Sequence, residues 1–82
     1  SNPHSYALHV QGSVLWLAGR HLDAMPAFSA SLAIHEELEG GDSEALKVPL
    51  WALALTLEEA GHHAEALAQF ERYLRIQLAH PE

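Results

Sequence analysis

The residues with the most chemistry to offer are seven histidines, eleven aspartates and glutamates and two tryptophans, in a chain with no cysteine. His62-His63 and His21 fall at matching breaks in the sequence, and imidazole suits zinc or copper. A His-rich, metal-dependent module is therefore one reading. Against it, neighbouring residues on a helix point in different directions, no thiolate assists, and packed helices stand about 10 Å apart. Surface histidines at helix turns are the simpler reading, so no metal site and no cofactor is expected. His9 and His35 stand apart from these three and are expected to face solvent or cap helix ends.

Nucleophilic catalysis needs a nucleophile, a base and an orienting group held together by a turn or strand. Ser13, Ser29, Ser31, His35 and Asp23 are available, but no glycine-rich elbow presents any of them. The acid pairs Glu36-Glu37 and Glu58-Glu59 read as solvated helix faces whose members point apart. No phosphate loop or dinucleotide fingerprint occurs. The expectation is a protein that is not an enzyme.

Composition narrows the partners. Four basic against eleven acidic residues leave a formal net charge of −7, which repels phosphate backbones and anionic lipid surfaces. Full protonation of the seven histidines would cancel that charge, so repulsion fades towards the sequence pI of 5.3. Apolar runs stay short of the roughly 18 residues of a membrane span. Nucleic acid and membrane are thus not expected partners, and the lack of cysteine fits a cytoplasmic setting. Abundant alanine and leucine with scarce lysine and asparagine suggest a GC-rich bacterial genome.

Alanine and leucine, 14 each among 82 residues, are strong helix formers, and the glycines divide the chain into helical stretches. Period-3.6 patterns predict helices near 3–18, 22–38, 43–60 and 63–79, an all-α fold. Pro26 is expected in the first turn of the second helix, where its missing N–H costs no bond. Pro49 lies six residues past Ser43, a candidate N-cap, so a short turn over 44–47 is expected before the third helix proper. One unit is used twice: Gly19 and Gly61, Ala24 and Ala66, and Phe28 and Phe70 are each 42 residues apart. Leu8 with Leu50, Leu15 with Leu57 and Leu32 with Leu74 keep the same offset. The expected organisation is an N-terminal extension at 1–5, hairpins at 6–39 and 48–82, and a connection at 40–47. Ser1-Asn2 reads as the remnant of a cleaved tag, and the chain as a segment of a longer protein.

Gly-x4-Ala-x3-Phe, preceded by a small residue (Gly12, Ala54) seven positions before the glycine, resembles the tetratricopeptide repeat. The 42-residue period and the run from Gly19 to Phe28, with Arg20, Ala24 and Pro26, are similar to the kinesin-light-chain variety. The resemblance spans residues 6–79. It implies an α-α superhelix of two stacked hairpins, in which the first helix of each lines a concave groove that binds a protein or peptide.

By register that groove takes Tyr6, His9, Ser13, Trp16 and Leu17 from the first hairpin, and Val48, Trp51, Leu55, Glu58 and Glu59 from the second. The two tryptophans read equally as groove or as core. Lysine and asparagine are missing from these positions, so the family's clamp for a terminal carboxylate is not supported, and His9 is a weak substitute. Gln11 replaces a preferred leucine, which implies looser packing or a backbone bond in the first hairpin. Tyr73 stands where the family wants a small residue against a following repeat, as Ser31 is. Two repeats leave end faces to cover, so Leu67, Tyr73, Leu74 and Leu78 are expected to mediate self-association as a homodimer, a neighbouring segment of the parent protein being the other candidate cover. The function implied is a non-catalytic scaffold or adaptor module. A purely structural homo-oligomerisation segment is the alternative.

Overall fold

The computed structural model describes residues 3–80, so the proposed tag remnant Ser1-Asn2 lies outside the described residues. Among them the chain forms α1 (Pro3–Leu17), α2 (His21–Glu39), a 3₁₀ turn (Glu44–Leu46), α3 (Lys47–Glu59) and α4 (His63–Ala79). The architecture is all-α, and each helix packs on its neighbour in sequence: α1 on α2, α2 on α3 and α3 on α4.

The two intra-hairpin turns are built alike. Gly19 (φ 80°) and Gly61 (φ 87°) take the left-handed conformation that glycine adopts without strain. Behind each, the chain closes the helix end with a pair of bonds. Arg20 N–H donates to the Leu15 carbonyl at 2.9 Å and Gly19 N–H to Trp16 at 3.0 Å. His62 N–H donates to Leu57 at 2.8 Å and Gly61 N–H to Glu58 at 3.1 Å. This double closure satisfies carbonyls that a helix end leaves open and reverses the chain within a few residues.

The prolines divide differently from expectation. Ser43 caps the 3₁₀ turn through Ala45 N–H at 3.1 Å, and Pro49 is the third residue of α3, where no donor is needed. Pro26, in contrast, is not in a first turn. Because α2 begins at His21, Pro26 occupies its second turn, and the Leu22 carbonyl loses its partner four residues on.

The core runs along the α2–α3 contact: Ala24, Phe28 and Leu32 meet Leu46, Leu50, Leu53 and Leu57, with Ala66 and Ile76 from α4. Repetition of sequence does not mean repetition of burial. Leu32, covered by α3, is 6% exposed, whereas Leu74, its counterpart 42 residues on, is 55% exposed. At the other end Gln11, the counterpart of buried Leu53, is exposed rather than packed, because among the described residues no helix lies against that side of α1. Arg72 fastens the connection between hairpins, donating to the Glu36 carboxylate and the Gly41 carbonyl.

Candidate functional site

An open groove of about 510 Å³ runs between α1 and α3. Helix register puts His9, Ser13, Trp16 and Leu17 on one wall and Lys47, Val48, Trp51, Ala52 and Leu55 on the other. Phe28 from α2 forms the floor and Tyr73 from α4 closes one side. The walls are mostly aromatic and aliphatic. Trp51 is the centre of an aromatic cluster, 5.1 Å from the Tyr73 ring and 5.2 Å edge-on to Phe70. Its 47% exposure leaves one side of the indole open to the groove. Trp16 is half-buried and edge-on to His21 at 5.5 Å, and its Nε1 is buried without an acceptor among the described residues. The two tryptophans therefore differ: Trp51 presents a surface, and Trp16 is shared between groove and hairpin core.

Seven of the ten positions assigned by register line this groove, namely His9, Ser13, Trp16, Leu17, Val48, Trp51 and Leu55. Tyr6, Glu58 and Glu59 do not. Tyr6 is 68% exposed beyond the lining, and Glu58 turns to His63 Nδ1 at 3.0 Å. Phe28, Lys47, Ala52 and Tyr73 line the groove without having been assigned to it. Lys47 corrects the expectation that lysine is missing here. It stands four residues before Trp51 on the same helix stripe, a spacing that could have revealed it. Its ammonium is 4.0 Å from Glu44.

Tyr73 also departs from its expected place. Its counterpart Ser31 is buried against α1, bonded to Ser5, so this register position faces the first helix of its own hairpin rather than a following repeat. Tyr73 accordingly lies on Trp51, apart from the exposed Leu67, Leu74 and Leu78.

Neither His9 nor His35 faces solvent freely. His9 is half-buried with its ring 5.5 Å from Phe28. His35 Nε2 lies 2.8 Å from Ser5 Oγ, which in turn lies 3.0 Å from Ser31 Oγ, while His35 Nδ1 is 3.7 Å from Glu39. Serine, imidazole and carboxylate in this order have the look of a nucleophile, base and orienter. The distances and burial give them another role. Ser5 is 2% exposed and out of reach of a substrate, and 3.7 Å is too long for the orienting hydrogen bond. Ser5, Ser31 and His35 tie α1 to α2 through a polar contact that neither helix's apolar pattern announces.

At the turns, His62 Nδ1 is 3.1 Å from Glu65 and His63 pairs with Glu58. Among the described residues no group of three or more His, Asp or Glu side chains is placed to hold a metal ion.

A family model described as Tetratricopeptide repeat matches residues 5–79. The chain belongs to the tetratricopeptide repeat family. The matched span runs from the buried Ser5 in α1 to the end of α4 and takes in residues of all four helices. Tetratricopeptide repeats generally mediate protein–protein interaction and are typically non-catalytic scaffolds. No curated protein and no solved structure gives a significant match to the chain. No helix among the described residues is long and apolar enough to cross a membrane.

Proposed function

We propose that this tetratricopeptide module is a non-catalytic adaptor that captures a segment of a partner protein in the groove between α1 and α3. The observation that carries the reading is the half-exposed Trp51, braced by Tyr73 and Phe70 at the centre of an apolar channel that both hairpins contribute to. A rigid aromatic held ready by its neighbours binds without first losing rotamer freedom, which is why such residues dominate interfaces. The formal charge of −7 favours a protein or peptide over nucleic acid or an anionic membrane. The 42-residue period and the run Gly19 to Phe28 support the kinesin-light-chain-like variety, and composition supports a bacterial, cytoplasmic parent.

The test is selection of binders from a displayed peptide library on the 82-residue chain, followed by titration of one binder against variants. Trp51→Ala should weaken binding about thirtyfold or more, a hot-spot loss near 2 kcal/mol, with the far-ultraviolet dichroism unchanged. Val48→Glu should act in the same direction by placing a charge in the channel. Binding that survives both substitutions would move the partner site elsewhere on the molecule.

A further inference from the structure

Beyond the groove, the outer face of α4 carries an apolar stripe that no other element covers among the described residues. Leu67, Leu74 and Leu78 are 59%, 55% and 77% exposed, and half-buried Phe70 lies between the first two. They fall at i, i+3, i+7 and i+11, one continuous seam about 17 Å long along the helix. The internal repeat says what such a seam is for. On α2 the counterpart of Leu74 is Leu32, buried in the core that α2 shares with α3, and that of Phe70 is Phe28, buried between this core and Gly12 of α1. An apolar helix is thus the kind of body that this face accepts.

Three observations bear on which helix. The exposed side of α1 is not a copy of the α3 surface that covers α2. It has exposed His4, Ala7 and Gln11 where the 3₁₀ turn and α3 have Leu46, Pro49 and Leu53, all buried. Head-to-tail stacking of copies, α1 upon α4, would therefore set Gln11 against leucines. Next, the stripe is self-complementary. If two α4 helices cross antiparallel with the two-fold axis between residues 72 and 73, Leu67 meets Leu78 of the other copy, twice over. Last, that crossing matches charge. Of the four basic side chains, Arg20, Lys47 and Arg72 are each paired with a carboxylate, whereas Arg75 makes no ion pair among the described residues. Arg75 and Glu71 flank the stripe on one side. The antiparallel crossing sets Glu71 of each copy beside Arg75 of the other, the same-flank pairing that antiparallel helices produce.

We infer that a second copy of this chain covers the outer face of α4, as an antiparallel α4–α4 dimer with Leu67, Leu74 and Leu78 at its centre. A single helix pair lies at the low end of specific interfaces, at about 1,200 Å² in total or less, so the dimer is weak and concentration-dependent. It leaves the groove open on each copy, because Leu67, Leu74 and Leu78 are not among the residues that line it.

Sedimentation equilibrium of the full chain over roughly 10 µM to 1 mM tests this, the range in which so small an interface associates. The expected result is a monomer–dimer equilibrium that Leu74→Glu abolishes without loss of helicity, since Leu74 is exposed in the monomer. Glu71→Arg and Arg75→Glu should each weaken association about threefold to tenfold by facing like charges. Both together should restore it, a rescue that a merely structural effect on the helix would not give. Val14→Glu on α1 should leave the dimer constant unchanged, and Leu74→Glu should leave peptide binding in the groove unchanged, so loss of peptide binding and loss of dimerisation are read separately. A monomer throughout, a dimer indifferent to Leu74→Glu, or growth into larger species would each overturn the inference. The first result points to a helix of another protein segment as the cover, the second to the α1 face, and the third to head-to-tail stacking.

Discussion

At the scale of single residues, Gly12 and Phe28 show how tightly one hairpin is closed. A Cβ built on Gly12 would lie 2.8 Å from Phe28 Cε1, closer than side-chain atoms approach. Phe28 is 3% exposed and forms the groove floor, so its ring has little room to retreat. Alanine would gain up to about 1 kcal/mol in helix propensity, while overpacking costs about 1–3 kcal/mol. The clash prevails. Gly12→Ala should lower the thermal midpoint by about 5 °C or more for a domain of this size, measured by dichroism at 222 nm. An unchanged midpoint would mean that the Phe28 ring yields. The second repeat has Ala54 at this position, completely buried, over the half-buried Phe70. The same family position thus takes a methyl group only where the ring beneath has somewhere to go.

At the scale of elements, the connection between hairpins is held by two devices of unequal strength. Leu46, in the 3₁₀ turn, is completely buried, and that turn touches α2, α3 and α4. Arg72 joins Glu36 and the Gly41 carbonyl, but its side chain is 23% exposed and screened by water. Removing a buried leucine side chain costs about 2–5 kcal/mol, against about 1 kcal/mol or less for a part-exposed ion pair. Leu46→Ala should therefore unfold at clearly lower urea concentration than Arg72→Ala. The reverse order would place the stability of this connection in its ion pair. The elements themselves are the part most legible in the sequence. Helix α4 spans the His63–Ala79 expected from its period, and the 3₁₀ turn before α3 follows from Ser43 and Pro49. The place of Pro26 was legible too, since a helix starting at 22, as the pattern predicts, already sets residue 26 past its first turn.

At the scale of the whole molecule, charge governs how copies meet. A chain of −7 at neutral pH with seven histidines approaches zero charge near pH 5.3. Exposed leucines on α4 and valines on α1 then lose their electrostatic protection. Solubility should pass through a minimum between about pH 5 and 6 and recover above pH 7. Turbidity of one stock across buffers measures it, and Leu74→Glu should make the minimum shallower. A flat profile would show that the apolar faces are not what associates.

What the amino-acid order determined alone is everything that depends on neighbours three, four or 42 residues apart. Helix period, glycine breaks and the repeat itself are local or self-referential patterns, and the family and most of the groove walls follow from them. Tertiary structure decided the rest, because it depends on which surfaces of separate helices meet. Only packing brings Ser5, Ser31 and His35 within hydrogen-bond reach across α1 and α2, or lays Tyr73 on Trp51 rather than on an outer face. Packing also makes Leu32 core and leaves Leu74 bare, though the sequence writes them as the same residue in the same place. Burial belongs to what stands opposite a side chain, and the chain's local pattern carries no record of that.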